Sequence, residues 1–67
     1  MDPSAQLSLL FHRLNNQLGI ILANAELLES KATDETQRAR AAQVVAGALD
    51  AMATAREIRN VVPTPKS

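Results

Sequence analysis

The stretch LSLLFHRLNNQLGIILANAELL, residues 7–28, decides the fold of this chain. Its apolar residues alternate steps of four and three, which is the pattern of a helix with one apolar seam. The seam comprises Leu7, Phe11, Leu14, Leu18, Ile21, Ala25 and Leu28. The stretch therefore predicts a long amphipathic helix that packs against another helix.

The first helix is predicted over about residues 4–30. Asp2 or Ser4 can cap its start, Pro3 is tolerated in a first turn, and no further proline follows through Glu29. Gly19 in its interior costs about 1 kcal/mol relative to alanine. Gly19 is therefore either a tolerated surface glycine or a position where a close neighbour disfavours a side chain.

The second helix is predicted over about residues 35–61. Asp34 followed three residues later by Gln37 resembles a capping box, while Pro63 and Pro65 end the helix. Residues 63–67 are then expected to form a disordered tail. The seam of this helix comprises Ala41, Val45, Ala48, Met52, Ala55 and Val62, and Arg59 interrupts it.

Length and composition predict how the two helices assemble. A loop of four or five residues between helices of similar length predicts an antiparallel hairpin. The 67 residues allow one domain, with one aromatic residue and no cysteine to strengthen a small core. Association then remains as the way to bury apolar surface. We expect an all-α hairpin that dimerises into a four-helix bundle.

A second apolar cluster lies away from the seam of the first helix. Leu9, Ile20 and Leu27 fall roughly 200–220° from Leu7 at about 100° per residue. They either face the second protomer or form an exposed patch for a third protein near His12. The wide apolar arc that each helix of a four-helix bundle needs favours the first alternative.

Charge and hydropathy exclude several classes of partner. Seven basic and seven acidic residues cancel, and no dense Lys/Arg block is present, which disfavours nucleic acid. The longest apolar run, residues 18–23, is far shorter than the roughly 20 residues that span a bilayer. The first residues lack the basic and apolar regions of a signal peptide. A cytoplasmic location without a membrane segment is expected.

The one histidine, His12, lies off the seam, about 140° from Leu7. Steps of four and seven residues from it reach Asn16 and Gly19, which are not strong metal ligands, so no metal site is expected. Ser8 precedes His12 by one turn, but no acidic residue or oxyanion pocket completes a hydrolytic site. Isolated glycines build no phosphate-binding loop, and no cofactor is expected. The remaining interpretation is that His12 receives a group from another protein or passes one on.

The residues around His12 resemble a known family. Residues 11–18, FHRLNNQL, followed by Ile21 and by residues 25–28, AELL, are similar to the phosphoacceptor box of sensor histidine kinases. The similar region is their dimerization and histidine phosphotransfer domain, a hairpin that dimerises into a four-helix bundle. The resemblance implies that His12 is phosphorylated and that Asn16 helps orient water or phosphate. It implies a response-regulator receiver domain as the partner, and clearance as the role of Gly19 and Ala23.

The sequence departs from the family at two positions. Arg13 stands where the family usually has an acidic residue that accepts a proton from the histidine, and arginine cannot act as that base. Gln17 stands where many members have a proline, so the helix is expected to be straighter. Both departures argue against autokinase chemistry. Arg13 can instead pair with a phosphate on the histidine or on a partner's aspartate.

The chain contains no ATP-binding domain, so a separate one would be needed to phosphorylate it from ATP. Three origins fit: a fragment of a kinase, a separate phosphotransfer protein, or a degenerate relative kept for dimerisation. The alternative function is a catalytically silent helical dimerization or kinase-regulating module, in which His12 is an exposed polar residue. Whether the chain takes part in an enzymatic reaction is left open between these alternatives.

Overall fold

The computed structural model describes residues 3–61. They form two α-helices, α1 (Pro3–Lys31) and α2 (Glu35–Val61), joined by residues 32–34. The helices pack against each other, and no strand occurs among residues 3–61. The predicted all-α helical hairpin is confirmed, and α1 runs unbroken through Gln17. The predicted tail 63–67 and Val62 of the second seam lie outside the described residues.

The turn between the helices is held by local polar contacts. The Asp34 carboxylate accepts a hydrogen bond from the backbone N–H of Gln37 at 2.8 Å, which caps α2. The Arg38 guanidinium donates to the Ala32 carbonyl at 3.3 Å and to the Glu35 carboxylate at 3.2 Å. Among the contacts of the described residues, the Gln37 side chain does not return the bond to Asp34. Half of the predicted capping box is thus present.

Replacing Asp34 tests this cap. We expect Asp34→Ala to lower the free energy of unfolding by about 1 kcal/mol, because the Gln37 N–H loses its acceptor. Asp34→Asn is the matched control and should retain most of the stability, since asparagine caps helices about as well as aspartate. Urea denaturation followed by circular dichroism measures both. Equal losses in the two variants would contradict the capping role.

Alanines dominate the interface between the helices. Its buried residues are Phe11 and Ala25 of α1 and Ala41, Ala48 and Ala55 of α2. Phe11 and Ala55 are equally far from Thr33 in the sequence, and so are Ala25 and Ala41, which places each pair at one height of an antiparallel hairpin. The half-buried Leu18 lies at the height of Ala48 by the same count. The small α2 side chains allow α1 to approach closely.

Only part of the predicted seam of α1 packs against α2 within the hairpin. Leu14, Ile21 and Leu28 are exposed to 38%, 47% and 66%, whereas Leu22, which the seam omitted, is half-buried. The alanine surface of α2 is narrow, so it covers only the middle of the wide apolar arc of α1. The interface therefore follows Phe11, Leu18, Leu22 and Ala25, and the three exposed residues lie to one side of it.

The residues beside the interface form one apolar surface, which we call the apolar face. It consists of the residues three positions after buried or half-buried ones: Leu10, Leu14, Ile21 and Leu28 of α1 and Val44, Ala51 and Ile58 of α2. The helices run in opposite directions and face each other, so the same offset leads to the same broad side of the hairpin. All seven residues except the half-buried Ala51 are exposed in the single chain. The hairpin thus has one broad side rich in uncovered apolar surface.

Candidate functional site

His12 is exposed and directly follows the buried Phe11. A step of one residue turns about 100° around the helix, whereas a step of three turns about 300°. His12 therefore lies on the broad side of the hairpin opposite the apolar face, and we call this side the His12 face. Its other α1 members are Ser8, Gly19 and Glu26, each of which follows a buried or half-buried residue. Packing of Phe11 against α2 fixes the direction in which the imidazole is presented.

The imidazole is unpartnered within residues 3–61, where no hydrogen bond or ion pair involves His12. Ser8, one turn earlier, does not bond to it. Asn16, one turn later on the same side of α1, is exposed and likewise makes no bond to another described residue. Both ring nitrogens and the Asn16 amide are therefore available to a group that arrives from outside.

Two steps along a helix turn about 200°, so a residue two positions after a buried or half-buried interface residue lies on the outer side of its helix, away from the other helix. On α1 these residues include Arg13, Ile20 and Leu27, and the exposed Leu9 lies on the same side. Leu9, Ile20 and Leu27, which we call the outer stripe, are exposed to 48%, 63% and 53%. The corresponding residues of α2 are polar: Gln43, Asp50 and Glu57. At these positions, only the helix that carries His12 has large apolar side chains.

Arg13 is exposed and points away from the interface, next to the outer stripe. Among residues 3–61 the structure contains one salt bridge, between Arg38 and Glu35, so the Arg13 guanidinium has no ion-pair partner there. Residues 3–25 contain no aspartate or glutamate. No carboxylate of α1 therefore lies within several turns of His12 on its N-terminal side, and the first one after it is that of Glu26.

The structure also bears on the two glycines. A Cβ atom added at Gly19 or at Gly47 meets no heavy atom within 4 Å. The chain itself therefore does not require glycine at either position. For Gly19, this removes the alternative of a close neighbour within the hairpin and leaves a tolerated surface glycine or a neighbour from another molecule.

Other kinds of site have little support among the described residues. No group of three or more His, Cys, Asp or Glu residues is placed to hold a metal ion in the part of the chain that the structure covers. A depression at the start of α2, lined by residues that include Glu35 and Arg40, is open to solvent. Neither α1 nor α2 has the length and apolar character that crossing a membrane requires.

The chain was compared with protein-family models, curated proteins and solved structures. No family model matches the chain, and neither a curated protein nor a solved structure matches it. The geometry around His12 is therefore the main indication of what the chain does.

Proposed function

We propose that this chain is a signal-transduction module in which His12 accepts a phosphoryl group from, or passes one to, an aspartate of a receiver protein. The observation that carries the proposal is the exposed, unpartnered imidazole of His12 beside an apolar outer stripe. A neutral imidazole is a competent nucleophile. Its accessibility suits a reaction in which the second reactant is attached to another protein.

The transfer step is a direct exchange between the imidazole and an acyl phosphate. The lone pair of one imidazole nitrogen attacks the phosphorus of an aspartyl phosphate, so that an N–P bond forms while the carboxyl O–P bond breaks. The carboxylate leaves with the bonding electrons, and the proton on the second ring nitrogen passes to water. The reverse reaction returns the phosphoryl group to the receiver. Asn16, one turn from His12, is placed to orient a phosphoryl oxygen or a water molecule.

The outer stripe supplies the docking surface in this proposal, which takes the second of the two alternatives for Leu9, Ile20 and Leu27, because the apolar face is left for the second protomer. Leu9 lies one turn before His12, and Ile20 lies one turn after Asn16, so the reactive side chain is flanked by apolar contacts. A receiver that covers these residues would bury apolar area and bring its aspartate over the imidazole. The polar outer side of α2 offers no such surface.

The apolar face supports a homodimer. The described residues bury one large side chain, Phe11, and four alanines, which is little for a stable fold. A second copy packed on the apolar face would form a four-helix bundle and cover Leu14, Ile21 and Leu28. His12 lies on the opposite broad side and would remain exposed in that bundle. We also place the chain in the cytoplasm, where receiver proteins act.

Labelling tests the proposed function. The purified chain is incubated with a phosphorylated receiver protein, or with a separate ATP-binding domain and ATP, and the site is mapped by mass spectrometry. We expect phosphate on His12 that is acid-labile and stable in base, as a phosphoramidate is. If no receiver or ATP-binding domain encoded nearby labels wild type or Arg13→Glu, the silent dimerization or kinase-regulating module becomes the better interpretation.

Substitutions at Arg13 test whether a missing proton acceptor limits phosphorylation from ATP. With an ATP-binding domain supplied, we expect Arg13→Glu to raise the rate of phosphorylation by about tenfold or more, because a carboxylate beside the nucleophile supplies a proton acceptor and general bases contribute about 10²–10⁴. Arg13→Gln is the matched control, since it removes the positive charge without adding a base. Equal gains in both variants would show that charge, not proton transfer, limits the reaction.

A further inference from the structure

The His12 face also carries an arginine from α2. Arg56 directly follows the buried Ala55, as His12 directly follows the buried Phe11. Phe11 and Ala55 lie at the same height of the hairpin, because they are equally far from Thr33 in the sequence. The same offset on antiparallel helices leads to the same broad side. The hairpin therefore places Arg56 of α2 across from His12 of α1.

The charge near His12 and Arg56 on the His12 face is positive. Arg56 is exposed and has no ion-pair partner among residues 3–61. The nearest carboxylates in the sequence of α2, Asp50 and Glu57, lie two positions after buried residues and so on the outer side of that helix. Glu26, which shares the His12 face, lies in the half of the hairpin nearest the loop. The end of the face that carries His12 thus presents positive charge, and the nearest carboxylate, that of Glu57, lies on the outer side of α2.

A guanidinium in this place suits a phosphoryl group. Packed helices lie about 8–10 Å apart, a gap that a long arginine side chain and a phosphorylated imidazole bridge from opposite sides. Arginine binds phosphate oxygens through paired N–H groups and carries its charge at every physiological pH. Arg56 also reaches the group from a different helix than Arg13, so the two cations approach from different sides.

We infer that Arg56 is a positioning residue for phosphoryl transfer at His12, holding the phosphoryl oxygens from α2 while the imidazole nitrogen of α1 bonds to phosphorus. The inference rests on the proposed function and extends it, because it makes α2 part of the site. It also specifies the partner's chemistry: a dianionic phosphoryl group on an acidic surface, as around an aspartyl phosphate.

The test uses acetyl phosphate, a small acyl phosphate, and a phosphorylated receiver as donors, with the labelling rate of His12 as the readout. We expect Arg56→Gln to slow labelling by about three- to tenfold at low salt with either donor, and the difference from wild type to shrink as salt is added. Arg56→Lys should recover part of the rate, because it keeps the charge but not the paired donors. Arg40→Gln is the matched control, since Arg40 is an exposed arginine of α2 near the loop.

The outcomes separate the two proposals. Absence of labelling of wild type by both donors would overturn the phosphotransfer function and the inference with it. Labelling of wild type that Arg56→Gln leaves unchanged would overturn the inference alone. A loss in Arg56→Gln that salt and Arg56→Lys do not alter, accompanied by reduced helix content, would assign Arg56 a structural role and also overturn it.

Discussion

His12→Gln is expected to lose all phosphoryl labelling while the helical hairpin and its association stay intact. The imidazole nitrogen is the only nucleophile in the proposed reaction, and a glutamine amide nitrogen has no comparable lone pair. Because His12 is exposed and makes no bond to another described residue, its replacement removes no packing. Glutamine also has a higher helix propensity than histidine. Circular dichroism and sedimentation should therefore match wild type.

The matched control for this experiment is Ser8→Ala. Ser8 lies one turn before His12 on the same face and is the nearest hydroxyl to it in the sequence. Its loss should leave labelling unchanged. Acid-stable phosphate that persists in His12→Gln and disappears in Ser8→Ala would contradict the proposed role of His12 and identify a serine as the acceptor.

Ile21→Asp is expected to raise the dissociation constant of the dimer by roughly a thousandfold. Ile21 belongs to the apolar face, and a two-fold interface contains each of its residues twice. Loss of a buried isoleucine costs at least about 2 kcal/mol per copy, which over two copies corresponds to that factor. A buried carboxylate adds to the cost. Sedimentation equilibrium over a range of concentrations measures the constant.

The chain provides an unusually close control in Ile20→Asp. Ile20 and Ile21 are adjacent, both are exposed in the single chain, and the substitution is the same. Ile20, however, lies on the outer stripe, so its replacement should leave the dimer intact and slow phosphoryl transfer from a receiver. A dimer weakened equally by both substitutions would contradict the assignment of the apolar face. A stable helical monomer of wild type at micromolar concentration would remove the homodimer altogether.

Local signals predicted the helices well. The cap at Asp34 placed the start of α2, and the uninterrupted helix formers placed α1 within one residue of its observed bounds. The centre of the buried face of α1 was not predictable in the same way. Hydropathy marks a wide arc as apolar, but the narrow alanine surface of α2 decides which part of that arc is covered. Leu22 was therefore missed, and the pattern did not show that Leu14 and Ile21 stay exposed in the single hairpin.

Part of the candidate site was likewise predictable from the sequence, and part depends on how the helices pack. The sequence places His12 off the buried face, because one position after an interface residue always turns away from it, and its exposure is confirmed. The proximity of Arg56 depends on which residues of α1 and α2 lie at equal height, and the pairing of Phe11 with Ala55 emerges only when the turn and the packing are known. The phosphotransfer role stays a prediction, since it depends on a second protein.

The position of Phe11 has a consequence for the order in which the hairpin closes. Contacts at Ala25 and Ala41 close a short loop, whereas contacts at Phe11 and Ala55 close one about three times as long, which costs about 1 kcal/mol more in chain entropy. Burial of a phenylalanine side chain contributes about 1.5–3 kcal/mol, enough to offset this difference. The chain's one phenylalanine thus offsets the larger entropic cost of closing the hairpin at its open end. Loss of this layer would detach from α2 the segment of α1 that carries His12, so the direction of the imidazole depends on the packing of Phe11.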